Sequence, residues 1–378
     1  MHLNIGLSLT GGGARGAYQA GVAAGLSELL IEFGYQQRLP IQSLSGVSAG
    51  AINAAYLAAG KGNFSQTSTD LSNLWSSLTP DQVYRTDIVS IGKIGLGWVR
   101  DFTFGAAFKT KVADDLLDAT PLNVLIRKNI NFDGIQQNID SGELIGVACT
   151  AYSYGTRKTV NFLQCQPHIE PWVRSRRHSK FVHLNHYHVF ASCAIPIIFS
   201  PVNIDGQFFG DGSLRNTAPV SPIVHLGADK IVMVDVRYKG EATSNRPLNR
   251  KPSVSEVIGI ILNGLFFDTT DVDMERLARM NLMAQTHTEK NEPFQFKNIS
   301  FVKINPSVDL ATIAESLSAQ HLPPAVDYLL RGLGDRKDYA ELASYLLFDS
   351  SFTKKLIELG YEDVRDKKIE IEKMLTKE

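Results

Sequence analysis

The chain has 378 residues and a formal net charge of −1, so no global field draws it to nucleic acid or to an acidic surface, and any membrane contact must come from a local patch. Hydrophobic residues at 44% and charged residues at 20% match a globular chain with a buried core, not a disordered or fibrous one. Its three cysteines, Cys149, Cys165 and Cys193, form no Cys-x-x-Cys pair, so free thiols in a reducing compartment are expected.

Residues 3–9 are a short β-like run that ends at Gly11-Gly12-Gly13. Residues 14–33 then take helical spacing, with Ala17, Ala20, Val22, Leu26, Leu29 and Leu30 as the apolar positions. A second short strand, 41–44, is followed at once by a small-residue helix, 49–59. Two strand–glycine turn–helix units in succession predict an α/β fold with a doubly wound, mostly parallel sheet. Residues 64–119 are rich in aromatics and turns and read as an insertion or helical cap. Strand-like runs resume at 144–150, 159–163 and 231–236, the last apolar almost throughout, as a strand buried on both faces should be.

Around 239–253 the composition turns polar and proline-bearing, the mark of a linker. Beyond it the pattern predicts a helix at 254–267, an amphipathic segment at 274–285, a strand at 301–304 and a helical end whose last residues, 363–378, form a solvated charged face. The expected division is a catalytic domain at 1–240, with the cap at 64–119, and a mainly helical extension at 241–378 packed on it. Residues 1–10 lack a basic leader, and 254–267 is interrupted by Glu256, Gly259, Asn263 and Gly264. A cytoplasmic protein, at most peripheral at the membrane, is therefore expected.

Gly46-Val47-Ser48-Ala49-Gly50 fits G-x-S-x-G with a strand before it and a helix after it. That context suits a nucleophile elbow, in which Ser48 sits on a sharp turn and Gly46 and Gly50 give the backbone room. Gly11-Gly12-Gly13-Ala14-Arg15-Gly16 also fits G-x-G-x-x-G. As a dinucleotide fingerprint it needs an acidic residue at the end of the second strand, and Leu44-Ser45-Gly46 stands there instead. As an oxyanion hole the loop offers the N–H groups of Gly11, Gly12, Gly13 and Ala14 at a helix start. Arg15 then either fixes this loop or neutralises a nearby phosphate.

A reactive serine needs a base. His225, His287 and His321 follow in the order a Ser–Asp–His triad would take, but His225 lies on an apolar run and the others have no motif beside them. His183, His186 and His188 are clustered without an acidic or cysteine partner at ligand spacing, which argues against zinc. Asp211-Gly212-Ser213 follows an apolar–aromatic run. An aspartate buried there can accept the serine proton directly, although Asp-Gly is also a common turn.

Together these motifs resemble the patatin-like phospholipases of bacterial type, which carry G-G-G-x-[RK]-G, G-x-S-x-G and D-G-[GA] in this chain order. Residues 191–201, 216–219 and 226–229 also resemble the family's stretches around the aspartate turn; Ser213 departs from the family's glycine or alanine. The resemblance spans about 4–236. It implies a three-layer α/β/α fold and a Ser48–Asp211 dyad supported by the glycine loop and by Gly16 and Gly212, with no metal and no cofactor. The implied reaction is hydrolysis of phospholipid or lysophospholipid esters through an acyl-enzyme. A lipid acyltransferase remains an alternative, as does a silent lipid-binding regulator, against which intact Ser48 and Asp211 argue. Two segments set cationic residues beside aromatics and suit an anionic lipid surface. The first, 91–108, with Trp98, Phe102, Phe104 and Phe108, also reads as a packed cap over the core. The second, 171–180, with Trp172 beside Arg174, Arg176, Arg177 and Lys180, also reads as a solvated loop.

Overall fold

A computed structural model describes residues 3–86, 117–216, 219–240, short stretches within 251–264, 268–286, 297–331 and 336–376. β1 (Ile5–Leu9) is buried along its whole length and feeds through the glycine turn into α1 (Gly16–Glu32). That helix is apolar on nearly every side because it is itself covered on nearly every side. β2 (Ile41–Val47) runs parallel to β1, with Leu7 opposite Leu44, and turns directly into α2 (Ala49–Ala58). Next among the described residues come α3 (Phe64–Ser76), α4 (Thr120–Asn129) and α5 (Phe132–Asp140).

The chain then returns to the sheet through β3 (Gly146–Ser153), β4 (Lys158–Cys165) and β5 (Arg177–Phe181). α6 (His186–Ser192), the hairpin of β6 (Val202–Ile204) and β7 (Gln207–Asp211), and α7 (Ser221–His225) precede β8 (Lys230–Val234). The last part holds α8 (Asp268–Thr286), β9 (Ser300–Ile304), α9 (Leu310–His321), α10 (Pro324–Arg331), α11 (Arg336–Leu346), α12 (Ser350–Asp366) and α13 (Lys368–Thr376).

The sheet order is β5-β4-β3-β2-β1-β8-β9, with β7 on β3 and β6 on β7. β3, β2, β1, β8 and β9 are mutually parallel, while β4 and β7 are antiparallel to β3. Alternate side chains of β8 serve two cores: Val232 and Val234 pack on the α1 side, Ile231 and Met233 on the α7–α8 side. The result is the expected three-layer α/β/α arrangement, and the reactive turns lie where the parallel strands end, as in open α/β sheets generally.

Observed boundaries differ from the expected runs by a few residues in both directions: β1 and α1 are shorter, β2, β4 and α8 longer. The strand expected at 301–304 is β9, an integral strand of the sheet beside β8. α12 lies along α1, where the Tyr18 hydroxyl donates to Asp363 Oδ2 at 2.9 Å. α3 also packs on α1, through Ser72, whose hydroxyl donates to Ala20 O at 3.2 Å. Most of the expected linker and of the helix at 254–267 lies outside the described residues, as does the segment 91–108.

Candidate active site

Ser48 sits between β2 and α2 with φ 55° and ψ −127°, a left-handed conformation that is strained for a residue with a Cβ. The surroundings hold it there. Its amide donates to Ser192 Oγ at 2.8 Å, and the Ser192 hydroxyl donates in turn to Thr150 O at 2.6 Å. Gly50 lets α2 start directly on the end of β1, since a Cβ at that position would lie 2.4 Å from Leu9 O.

Asp211 reaches the same place from another strand. Val47 pairs with Thr150 across β2 and β3, and Ala151 pairs with Asp211 across β3 and β7. The residues on either side of β3 thereby become neighbours. The Asp211 carboxylate is buried; Oδ1 accepts from the Ser213 amide at 2.8 Å, whereas Oδ2 has no conventional hydrogen-bond partner among the described residues. Burial pushes its pKa up to about 6 against the opposing pull of the Ser48 hydroxyl and of Ser213. A buried oxygen with an open lone pair beside a serine hydroxyl is chemically a proton acceptor.

Gly11, Gly12, Gly13 and Ala14 carry the chain from β1 into a single 3₁₀ turn, Gly13–Arg15. Gly13 and Ser48 face one narrow pocket. Its walls are apolar: Ile52 from α2, Leu74, Trp75 and Leu78 from α3 and its end, Leu122 and Leu125 from α4. Cys193, Ile195 and Phe199 close one side, Tyr345 and Phe348 another.

A family profile described as patatin-like phospholipase matches residues 7–224. The chain belongs to the patatin-like phospholipase family. It is accordingly a lipid acyl hydrolase with the fold of that family. Among solved structures, VipD from Legionella pneumophila is similar at 12% identity over 95% of this chain and 67% of its own, with a TM-score of 0.36. Human GIVD cytosolic phospholipase A2 is similar at 12% over 97% and 60%, with a TM-score of 0.37. The type III effector ExoU of Pseudomonas aeruginosa is similar at 12% over 94% and 54%, with a TM-score of 0.31. The chain thus spans about two thirds of VipD and little more than half of ExoU. No curated protein matches it.

The patatin-like glycine loop is held by a buried polar chain that sequence reading does not single out. The Gln19 amide donates to Thr10 O at 2.7 Å, Asn53 donates to Gln19 Oε1 and to Gly16 O at 3.0 Å each, and the Trp75 indole donates to Asn53 Oδ1 at 2.7 Å. The available signal was a lone amide inside each of two otherwise small and apolar helices. Arg15 is buried against α11, where its Nε lies 2.8 Å from Ser344 Oγ.

His188, His225 and His321 make other contacts. His188 Nδ1 accepts from the Asn185 amide at 3.2 Å and caps α6. His321 pairs with Asp349 at 3.1 Å. His225 stacks on Trp172 at 4.2 Å, and burial together with Arg174 and Arg177 lowers its pKa to about 4, leaving it neutral. His287 lies outside the described residues, and no metal-binding group of side chains occurs among them.

One expectation needs correcting. Trp172 is 5% exposed and packs with Ala148, Leu163 and Leu226, so it is core rather than a surface aromatic. What projects instead is the adjoining turn, closed by an Arg174 amide to Arg177 carbonyl bond of 2.7 Å, with Val173 70% exposed next to solvent-facing Arg174 and Arg176. No helix among the described residues is long and apolar enough to cross a membrane.

Proposed function

We propose that the chain hydrolyses carboxylic esters of phospholipids or lysophospholipids through a Ser48–Asp211 dyad. The observation that carries this reading is the buried Asp211 carboxylate, whose unpartnered Oδ2 lies beside the strained Ser48 elbow. The apolar cavity suits an acyl chain, with the ester carbonyl resting between Ser48 and the glycine loop.

Ser48 Oγ attacks the carbonyl carbon as its proton passes to Asp211 Oδ2. The oxygen that becomes negative is met by the N–H groups of Gly11, Gly12, Gly13 and Ala14. Collapse expels the alcohol oxygen, which takes the proton back from Asp211 and leaves Ser48 acylated. Water then repeats the sequence, losing a proton to Asp211 and releasing the fatty acid, and the proton returns to Ser48. All reacting groups fall within residues 1–240, and Tyr345 and Phe348 from beyond that stretch add to the walls around them. The projecting turn with Val173, Arg174 and Arg176 serves as a peripheral contact with anionic lipid.

Fluorophosphonate labelling followed by peptide mapping tests the nucleophile. The label should fall on Ser48 and vanish in Ser48→Ala. Label persisting in that variant would overturn the assignment.

A further inference from the structure

The reactive turns lie within residues 7–224, where the family match lies, yet the glycine loop is held from well beyond that stretch. Arg15 is buried with its guanidinium 4.4 Å from the centre of the Tyr345 ring. Its Nη2 forms an ion pair with Glu341 and lies 2.6 Å from Ser344 Oγ, while Nε lies 2.8 Å from the same oxygen. The Ser344 hydroxyl gives its own proton to Glu341 O at 2.5 Å, so its lone pairs are left to accept both guanidinium bonds. On the other side of the turn the α11 backbone presses against Gly13: a Cβ there would lie 2.3 Å from Tyr345 O, and Gly13 has φ +56°.

A single 3₁₀ turn has little stability of its own. This one is closed only by short-range backbone bonds, from the Arg15 amide to Gly12 O at 3.1 Å and from the Gly16 amide to Gly13 O. Its shape is therefore set by what grips it. α11 is itself anchored at the cavity, since the Tyr84 hydroxyl donates to Leu346 O at 2.8 Å and Phe348 stacks on Trp75 at 6.4 Å. Loop, helix and cavity wall form one rigid connection.

We propose that Glu341 and Ser344 are positioning residues for the hydrolysis, holding Arg15 and through it the N–H groups of Gly11, Gly12, Gly13 and Ala14 where the oxyanion forms. The inference rests on the loop's role as oxyanion hole given above. Glu341 touches no reacting atom. It acts by offsetting a buried charge, and with less to balance it the Arg15 guanidinium would draw the turn toward solvent.

The test uses the full chain, p-nitrophenyl butyrate as a soluble ester and an alkyl fluorophosphonate, with folding followed by circular dichroism. Because a loop shift of about 1 Å can cost about a hundredfold in rate, Glu341→Gln should lower kcat by about tenfold or more while KM moves by less than about twofold. Labelling of Ser48 should slow by the same factor, because the phosphonyl oxygen uses the same N–H groups. Ser344→Ala should act in the same direction and Ser344→Thr, which keeps the hydroxyl, should restore most of the rate.

Folded Glu341→Gln and Ser344→Ala variants with wild-type kcat and labelling would refute the inference, leaving the contact a tether for stability only. Should Glu341→Gln fail to fold, the Ser344→Ala and Ser344→Thr pair decides alone. A wild-type chain that takes no label and cleaves no ester sinks the dyad reading, and this inference with it.

Discussion

Replacing Asp211 by asparagine separates two consequences of burying a carboxylate. In the folded chain its pKa is raised to about 6, chiefly by burial, against about 4 in an unfolded chain. Between those values the folded state holds the proton more tightly, so the stability present at low pH is lost progressively as pH rises from about 4 through 6. At pH 7 the ionised group costs the fold about 3 kcal/mol, as an upper figure. The amide of Asp211→Asn would keep the acceptor for the Ser213 N–H and carry no charge. The variant should therefore equal wild type near pH 4 and exceed it increasingly up to pH 7, by no more than about 3 kcal/mol. Urea unfolding of both proteins at several pH values measures this directly. Activity should move the other way, with kcat/KM falling about a hundredfold or more and losing the acid limb expected of wild type near pH 6. A stability difference that does not change with pH, or one that favours wild type more as pH rises, would refute the account of a desolvated base.

Phe348 walls the cavity and contacts Trp75 and Tyr84 at ring distances of 6.4 and 6.2 Å; Phe348→Ala should raise the ratio of kcat/KM for long-chain over butyryl esters while lowering stability by about 3 kcal/mol. An unchanged chain-length ratio would place the acyl chain elsewhere. Arg174→Glu with Arg176→Glu should reduce sedimentation with anionic vesicles at low salt and leave hydrolysis of p-nitrophenyl butyrate intact. Vesicle binding equal to wild type would mean that the turn is only solvated.

The parts of the fold legible in the sequence are those written in adjacent residues. A near-continuous apolar run marks β8 and short β-like runs mark β1, β2 and β3. The glycine and serine turns stand at the ends of β1 and β2 because strand, turn and helix follow within a dozen positions. What stays hidden is pairing at a distance. Ser192 contacts the Ser48 amide across 144 positions and Glu341 contacts Arg15 across 326, and a serine or glutamate in a helix carries no mark of such a partner. Trp172 shows the opposite failure. Among arginines it reads as an interfacial aromatic, but its burial is decided by His225 and Leu226, which arrive on a later helix and its end.

The packing of α1 against α12 also bears on how the protein is made. α1 is apolar on nearly every face, and one of those faces is covered by a helix whose Asp363 lies 345 positions after Tyr18. At about 5–20 residues per second, roughly 20–70 s of synthesis separate the two. Throughout that interval a sticky helix near the start of the chain waits beside the ribosome without its cover. Contacts so distant in sequence also form slowly. Until the later helix is made, α1 keeps an apolar face uncovered, a surface that the finished molecule does not present.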